Sequence, residues 1–215
     1  SKFVGGVKLL RAAMRPLPYA VAPGDGVEDE ARKALALAPA QPELLASAIQ
    51  IAQRSGANGA LKEWTTQALA QQPGHTGHRL TLGDALLGLG ESQAALAAFE
   101  TVLATDLDNE TAAAGRAQAL LAAGRQADAV AAWDALLARQ PDNAAWAFHR
   151  AMAAGETPPH QPLSLVKSTF DALATVYDVH MLRTLRYRLP KDVADRLLAV
   201  YPERDFHLLD LGCGT

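Results

Sequence analysis

Cysteine, aromatic rings and excess charge are all scarce in this chain. One cysteine in 215 residues excludes an internal disulfide and is compatible with a reducing compartment. Aromatic residues supply only 6% of the chain while alanine is abundant, a balance that favours helices. A net charge of −3, a pI of about 6.1 and the lack of a strongly basic patch exclude nucleic acid as a primary partner. No apolar run approaches the length of a membrane span. Lys8, Arg11 and Arg15 interrupt the opening stretch and spoil it as a signal-peptide core, so a cytoplasmic location is expected. Metal-ligand sets are also wanting. His75 and His78 stand three apart and can share a helix face, but no cysteine or carboxylate set completes a site, and they read as exposed loop histidines. What remains, 49% apolar and 20% charged, is enough for a sizeable core under a solvated surface.

The chain is rich in one thing, a period. Gly56, Gly90 and Gly124 stand 34 residues apart, and so do Pro39, Pro73, Leu107 and Pro141. A fixed period of this size signals stacked supersecondary units. The clearest two are residues 76–109 and 110–143. Leu82, Leu86 and Leu89 share one helix face at the spacing expected for burial. Gly83 is small where a neighbouring helix must approach. Gly90 and Gly124 follow the first helix of each unit, where a residue of positive φ commonly ends it. Ala95 with Phe99, and Ala129 with Trp133, set a notch beside a knob on the second helix. Pro141 stops that helix, and Asp106 and Asp108 read as an inter-repeat turn.

With this length and pattern the sequence resembles the tetratricopeptide repeat family. Arg79 and Ala113 stand in place of its first aromatic, and Leu107 in place of its proline. The expected fold is therefore all-α, a solenoid of about three to four helix-turn-helix repeats. Residues 1–155 form the repeat domain, with full repeats at 42–75, 76–109 and 110–143 and partial ones at both ends. Residues 2–15 are predicted as a short amphipathic helix, and residues 27–38 as the second helix of a leading repeat. A further unit starts at Ala144 and is broken by GETPPHQP, which makes residues 156–164 a linker. The resemblance implies a concave groove lined by Ala46, Gln50, Gln53, Leu80, Asp84, Leu87, Ala114, Gln118 and Leu121, a mild surface suited to a protein or peptide partner. A scaffold packing on its own neighbouring domain is the competing role. The lysine and asparagine clamp that some relatives use for a C-terminal carboxylate is missing, because Ala46, Gln50, Thr81 and Gly115 occupy those positions.

After the break the pattern changes. Val166, Phe170, Leu173 and Tyr177 form a helical stripe over residues 165–179, and Lys191–Val200 follows Pro190 as another helix. Phe206 to Leu211 is apolar enough for a buried strand and runs into Gly212-Cys213-Gly214-Thr215. Glycines after a buried strand let the backbone turn sharply and lie against a cofactor. The string LLDLGCGT looks like the first motif of class I S-adenosylmethionine-dependent methyltransferases. Residues 170–190 resemble the helical lead-in of bacterial methyltransferases that carry tetratricopeptide repeats. The resemblance implies a truncated methyltransferase domain over residues 165–215, containing the first strand of a Rossmann-like sheet. It implies that Gly212 and Gly214 approach the methionine part of S-adenosylmethionine and that Asp210 orients its amino group. Tyr177 and Tyr187 are candidates for closing the pocket, with core packing the competing role. An ordinary dinucleotide fold is the rival for the glycine pair, though it would less often carry aspartate two residues before the first glycine. Cys213 has no base placed beside it and suits the turn by its size. His180 is either a helix cap or a pocket residue.

Two functions follow. One is a methyltransferase whose repeats recruit or position a substrate, the catalytic residues and the methyl acceptor being unassigned and this chain alone being inactive without bound cofactor. The other is a non-catalytic repeat scaffold for protein–protein interaction.

Overall fold

The computed structural model describes residues 27–38, 41–173 and 189–202. Ten helices and no strand occur among them. In chain order they are α1 (Val27–Leu37), α2 (Pro42–Ser55), α3 (Asn58–Gln71), α4 (Thr76–Gly88), α5 (Ser92–Leu103), α6 (Glu110–Ala122), α7 (Gln126–Arg139), α8 (Ala144–Ala153), α9 (Leu163–Leu173) and α10 (Leu189–Val200). From α1 to α8 each helix packs on the next, and α4 also touches α6. The result is an all-helical solenoid of the tetratricopeptide type. None of the described helices is long and apolar enough to cross a membrane. The predicted helix 2–15 and strand 206–211 lie outside the described residues.

The period is written most plainly in the helix ends. α2, the first helix of its pair, stops at Gly56, and its counterparts α4 and α6 stop just short of Gly90 and Gly124; all three glycines have φ between 67° and 77°. In each case the following amide reaches back five residues, from Ala57 to Ala52 O, Glu91 to Leu86 O and Arg125 to Leu120 O. This Schellman closure satisfies carbonyls that the helix end would otherwise leave open. α8 ends the same way at Gly155 (φ 79°), with Glu156 donating to Ala151 O. Yet α8 has 10 residues where α4 and α6 have 13, so its closing glycine comes about one turn early. Helix starts obey the same clock. His75, Asn109 and Asn143, each 34 apart, accept from the amides of His78, Ala112 and Trp146 and cap α4, α6 and α8. The expectation of exposed loop histidines holds for His75, which is exposed and precedes the helix, and fails for His78. One caps α4, the other lies in its first turn, and their rings stack at 3.9 Å.

Side chains fill the core as knobs and notches. Ala95, Phe99, Ala129 and Trp133 are all buried. Phe99 of α5 lies between α4 and α6, where a Cβ at Gly83 would stand 2.5 Å from its Cζ and one at Gly115 would stand 2.5 Å from the same atom. The ring therefore occupies the space that two absent side chains leave. Leu89, expected on the buried face with Leu82 and Leu86, is instead 41% exposed, because the helix has ended and Leu89 is its C-cap. Thr65 occupies the position equivalent to Phe99 and Trp133, and the bulk has moved one residue back to Trp64, which is buried under the Arg32 guanidinium. The buried Thr65 hydroxyl donates to Leu61 O, so no polar atom is stranded there.

Turns between repeats are tied by polar contacts. Asn109 Nδ2 donates to Asp106 at 3.0 Å and Arg139 pairs with Asp108 at 3.2 Å, in keeping with an inter-repeat turn. Leu107, in the position held by proline elsewhere, is 82% exposed. Beyond Gly155 the chain is non-helical until α9, whose first residues fall inside the stretch expected as linker.

Candidate functional site

α4, α6 and α8 are first helices of successive pairs, and they frame a cavity of about 340 Å³. α4 contributes Asp84. α6 contributes Glu110, Thr111, Ala114, Gly115 and Gln118, and α8 contributes Trp146. The spacing explains the lining. Thr111, Ala114, Gly115 and Gln118 recur at three and four residues, so they share one face of α6. Ala114 and Gly115 give the cavity a floor with almost no side-chain volume. Half-buried Trp146 forms a wall, standing one turn into α8 and held by the Asn143 cap.

The electrostatics differ from the mild surface expected. Among the described residues, two carboxylates line the cavity and no cation does. Glu110 is oriented by Gln140 Nε2, which donates to its Oε1 at 2.6 Å. Among the described residues no hydrogen bond or ion pair reaches Asp84. Asp84 keeps contact with solvent but stands in a recess crowded by protein atoms, and this desolvation raises its carboxyl above the usual carboxylate range. The one arginine on each of these three helices is committed elsewhere. Arg79 donates to Pro73 O, Arg116 pairs with Glu100, and Arg150 pairs with Asp134 and Glu156.

Of the positions expected along the groove, Ala46, Gln50, Gln53, Asp84, Gln118 and Leu121 are exposed. Leu80, Leu87 and Ala114 are half-buried and pack against the core. Gln53 donates to Thr81 Oγ1 at 3.4 Å, joining α2 to α4 along the same face. Glu110 and Trp146 were not foreseen. They stand at the first and third positions of their helices, and only the approach of neighbouring first helices brings them beside Asp84. Asp210, Gly212, Gly214, Tyr177 and Tyr187, the residues expected to hold S-adenosylmethionine, lie outside the described residues, as do His180 and Cys213.

A second cavity, of about 550 Å³, lies between α5, α6 and α7. Leu103, Leu107 and Leu136 line it, and the paired charges Glu100–Arg116 and Asp108–Arg139 ring it. Its charges are balanced within the chain.

Comparison with known proteins bears on the repeats and the fold. The tetratricopeptide repeat family model matches residues 53–109, 80–144 and 115–156. A search of curated proteins found no match. Among solved structures, a tetratricopeptide repeat protein from Parabacteroides merdae ATCC 43184 is similar, with a TM-score of 0.53 at 15% identity. The alignment covers 71% of this chain and 56% of that one, so this chain spans little more than half the length of that protein. At such identity the likeness is one of fold. The central helices of this chain are accordingly tetratricopeptide repeats within an all-helical solenoid.

Proposed function

We propose that the repeats form a protein-interaction module that receives a polypeptide partner along the face of α2, α4, α6 and α8. The observation that carries this is the cavity between α4, α6 and α8, which is lined by an indole, two carboxylates, a hydroxyl and one amide side chain over a small-residue floor. Such a mixture of one aromatic and several orienting polar groups suits recognition of an extended chain. The test is selection of peptide binders on the whole chain, with an Ala114→Trp variant that fills the floor. Binders that lose affinity for the filled variant support the module, and binders indifferent to it place recognition elsewhere.

A second reading rests on a specific string. LLDLGCGT, following α9 and α10 in the sequence, favours repeats joined to an S-adenosylmethionine-dependent methyltransferase, for which they would recruit the acceptor. α9 and α10 leave Phe170, Val193 and Leu198 exposed, apolar surface that a further domain would cover. When bound, the cofactor would supply a sulfonium methyl to a nucleophile of the substrate, and the protein would act mainly by positioning. Calorimetric titration of S-adenosylmethionine into the complete reading frame and into this chain separates the cases. Binding to the longer form alone supports the methyltransferase, and binding to neither leaves the interaction module.

A further inference from the structure

The cavity between α4, α6 and α8 has a charge that no described residue balances. Asp84 and Glu110 both line it, Asp84 lacks a partner among the described residues, and Arg79, Arg116 and Arg150 are engaged away from it. Trp146 adds an aromatic wall to the two carboxylates. An indole face attracts a cation and also packs the aliphatic stem behind it. Ala114, with only a methyl at the floor, leaves room above it for a long side chain. Carboxylates, aromatic face and room converge on one kind of guest.

On the basis of the interaction-module reading above, we infer that this cavity selects partner polypeptides by a basic side chain, arginine or lysine, laid along Trp146 with its cationic end at Asp84 and Glu110. The remaining partner residues run over the neutral stretch toward α2, past Gln53 and Gln50, and add affinity with little charge selectivity. The desolvation that raises the Asp84 carboxyl is consistent with this, since a bound cation would relieve it. Arginine fits the site in two respects at once, stacking on the indole and donating to carboxylates through a planar fork.

The experiment pans random dodecapeptides against the whole chain. The selected peptides are then synthesised with each arginine or lysine exchanged in turn for citrulline or norleucine, and affinity is read by fluorescence anisotropy. We expect basic residues to be enriched, and one exchange in each peptide to weaken binding about tenfold or more. That penalty should vanish in the Asp84→Asn/Glu110→Gln double variant, which keeps side-chain size and leaves Gln140 an acceptor oxygen at residue 110. It should persist in Gln50→Ala, and helical circular dichroism reports that each variant folds. Raising salt should weaken wild-type binding more than binding to the double variant. Binders that Ala114→Trp blocks, but that ignore both the double variant and the citrulline exchange, overturn the inference while sparing the module. A failure to select any binder sensitive to Ala114→Trp overturns both.

Discussion

Phe99 offers the sharpest test of how this solenoid is assembled, because two glycines on different helices crowd the same ring atom. A methyl at Gly83 would stand 2.5 Å from Phe99 Cζ, 2.7 Å from Cε1 and 3.0 Å from Cε2. Comfortable carbon contacts need about 3.5–4.0 Å. The ring has little room to slide, because it is close to the far helix as well, where a Cβ added at Gly115 would stand 2.5 Å from the same Cζ and Cε1. Gly83→Ala therefore sets two effects against each other. In a helix interior it gains about 1 kcal/mol of propensity. Overpacking a buried site costs about 1–3 kcal/mol, and the wedged ring puts this site toward the upper end. The expected net change is a loss of about 1–2 kcal/mol. In a Phe99→Leu background the Cε and Cζ atoms are gone, and with them all three contacts that a Gly83 methyl would meet. There the same Gly83→Ala change should stabilise by up to about 1 kcal/mol. Urea denaturation followed by circular dichroism on the two single variants and the double variant gives the coupling directly, expected at about 2–3 kcal/mol. Equal effects of Gly83→Ala in both backgrounds would refute the wedge and leave glycine at 83 without a packing reason.

Four further outcomes are expected. Asn109→Ala should cost about 1 kcal/mol, since Asn109 Oδ1 accepts from the Ala112 amide at 2.9 Å, while Asn109→Ser should restore most of it; thermal melts check both. Trp133→Ala, at a buried side chain stacked on His149, should cost about 3–5 kcal/mol and release the protein from cooperative unfolding near that repeat, visible in denaturant curves. Burial holds the His78 and His149 imidazoles below the ordinary histidine value, His78 also through the charge of His75, so the unfolded chain takes up protons more readily. Stability is then fully present above about pH 6.5 and is lost as pH falls through the folded values, a decline that His149→Gln should flatten in melts run across that range. Asp84 has the opposite sign: with its carboxyl raised by desolvation, stability is fully present below the ordinary aspartate value and falls as pH rises through the folded one. Asp84→Asn should gain no more than about 0.5 kcal/mol near neutral pH, the group being solvent-exposed, and nothing below about pH 3.

Much of the fold was legible in the chain because its signals are local. A glycine that must take positive φ, a cap that must accept an amide and a knob four residues from its notch all act within one or two turns. Repetition at 34 residues then multiplies each signal. The same logic shows where local signals mislead. Leu89 has the spacing of a buried residue, but the helix ends before it and rotates it outward. The weaker first full repeat hid its knob by moving it from the position of Thr65 to Trp64, a shift that period matching alone does not see.

The candidate site was illegible for a related reason. Its residues sit on three helices at three different positions of the repeat, Asp84 at the ninth, Glu110 at the first and Trp146 at the third, so no period links them. Repeat positions specify how neighbouring units pack, and the consensus is therefore informative about contact and silent about the lining of a groove. Asp84 looks like one polar residue on a neutral face when α4 is read alone. Glu110 looks like an ordinary acidic residue in a first turn, where it also favours the helix dipole. Only stacking brings the two carboxylates and the indole to one cavity and removes competing cations to other partners. Asp84 makes no hydrogen bond or ion pair among the described residues, and the desolvation of its charge works against the fold at neutral pH. A residue with that balance is best accounted for by a partner that supplies the missing cation, and the opposing effects of Asp84→Asn, a small gain in stability with a loss of selectivity for basic peptides, would be the mark of it.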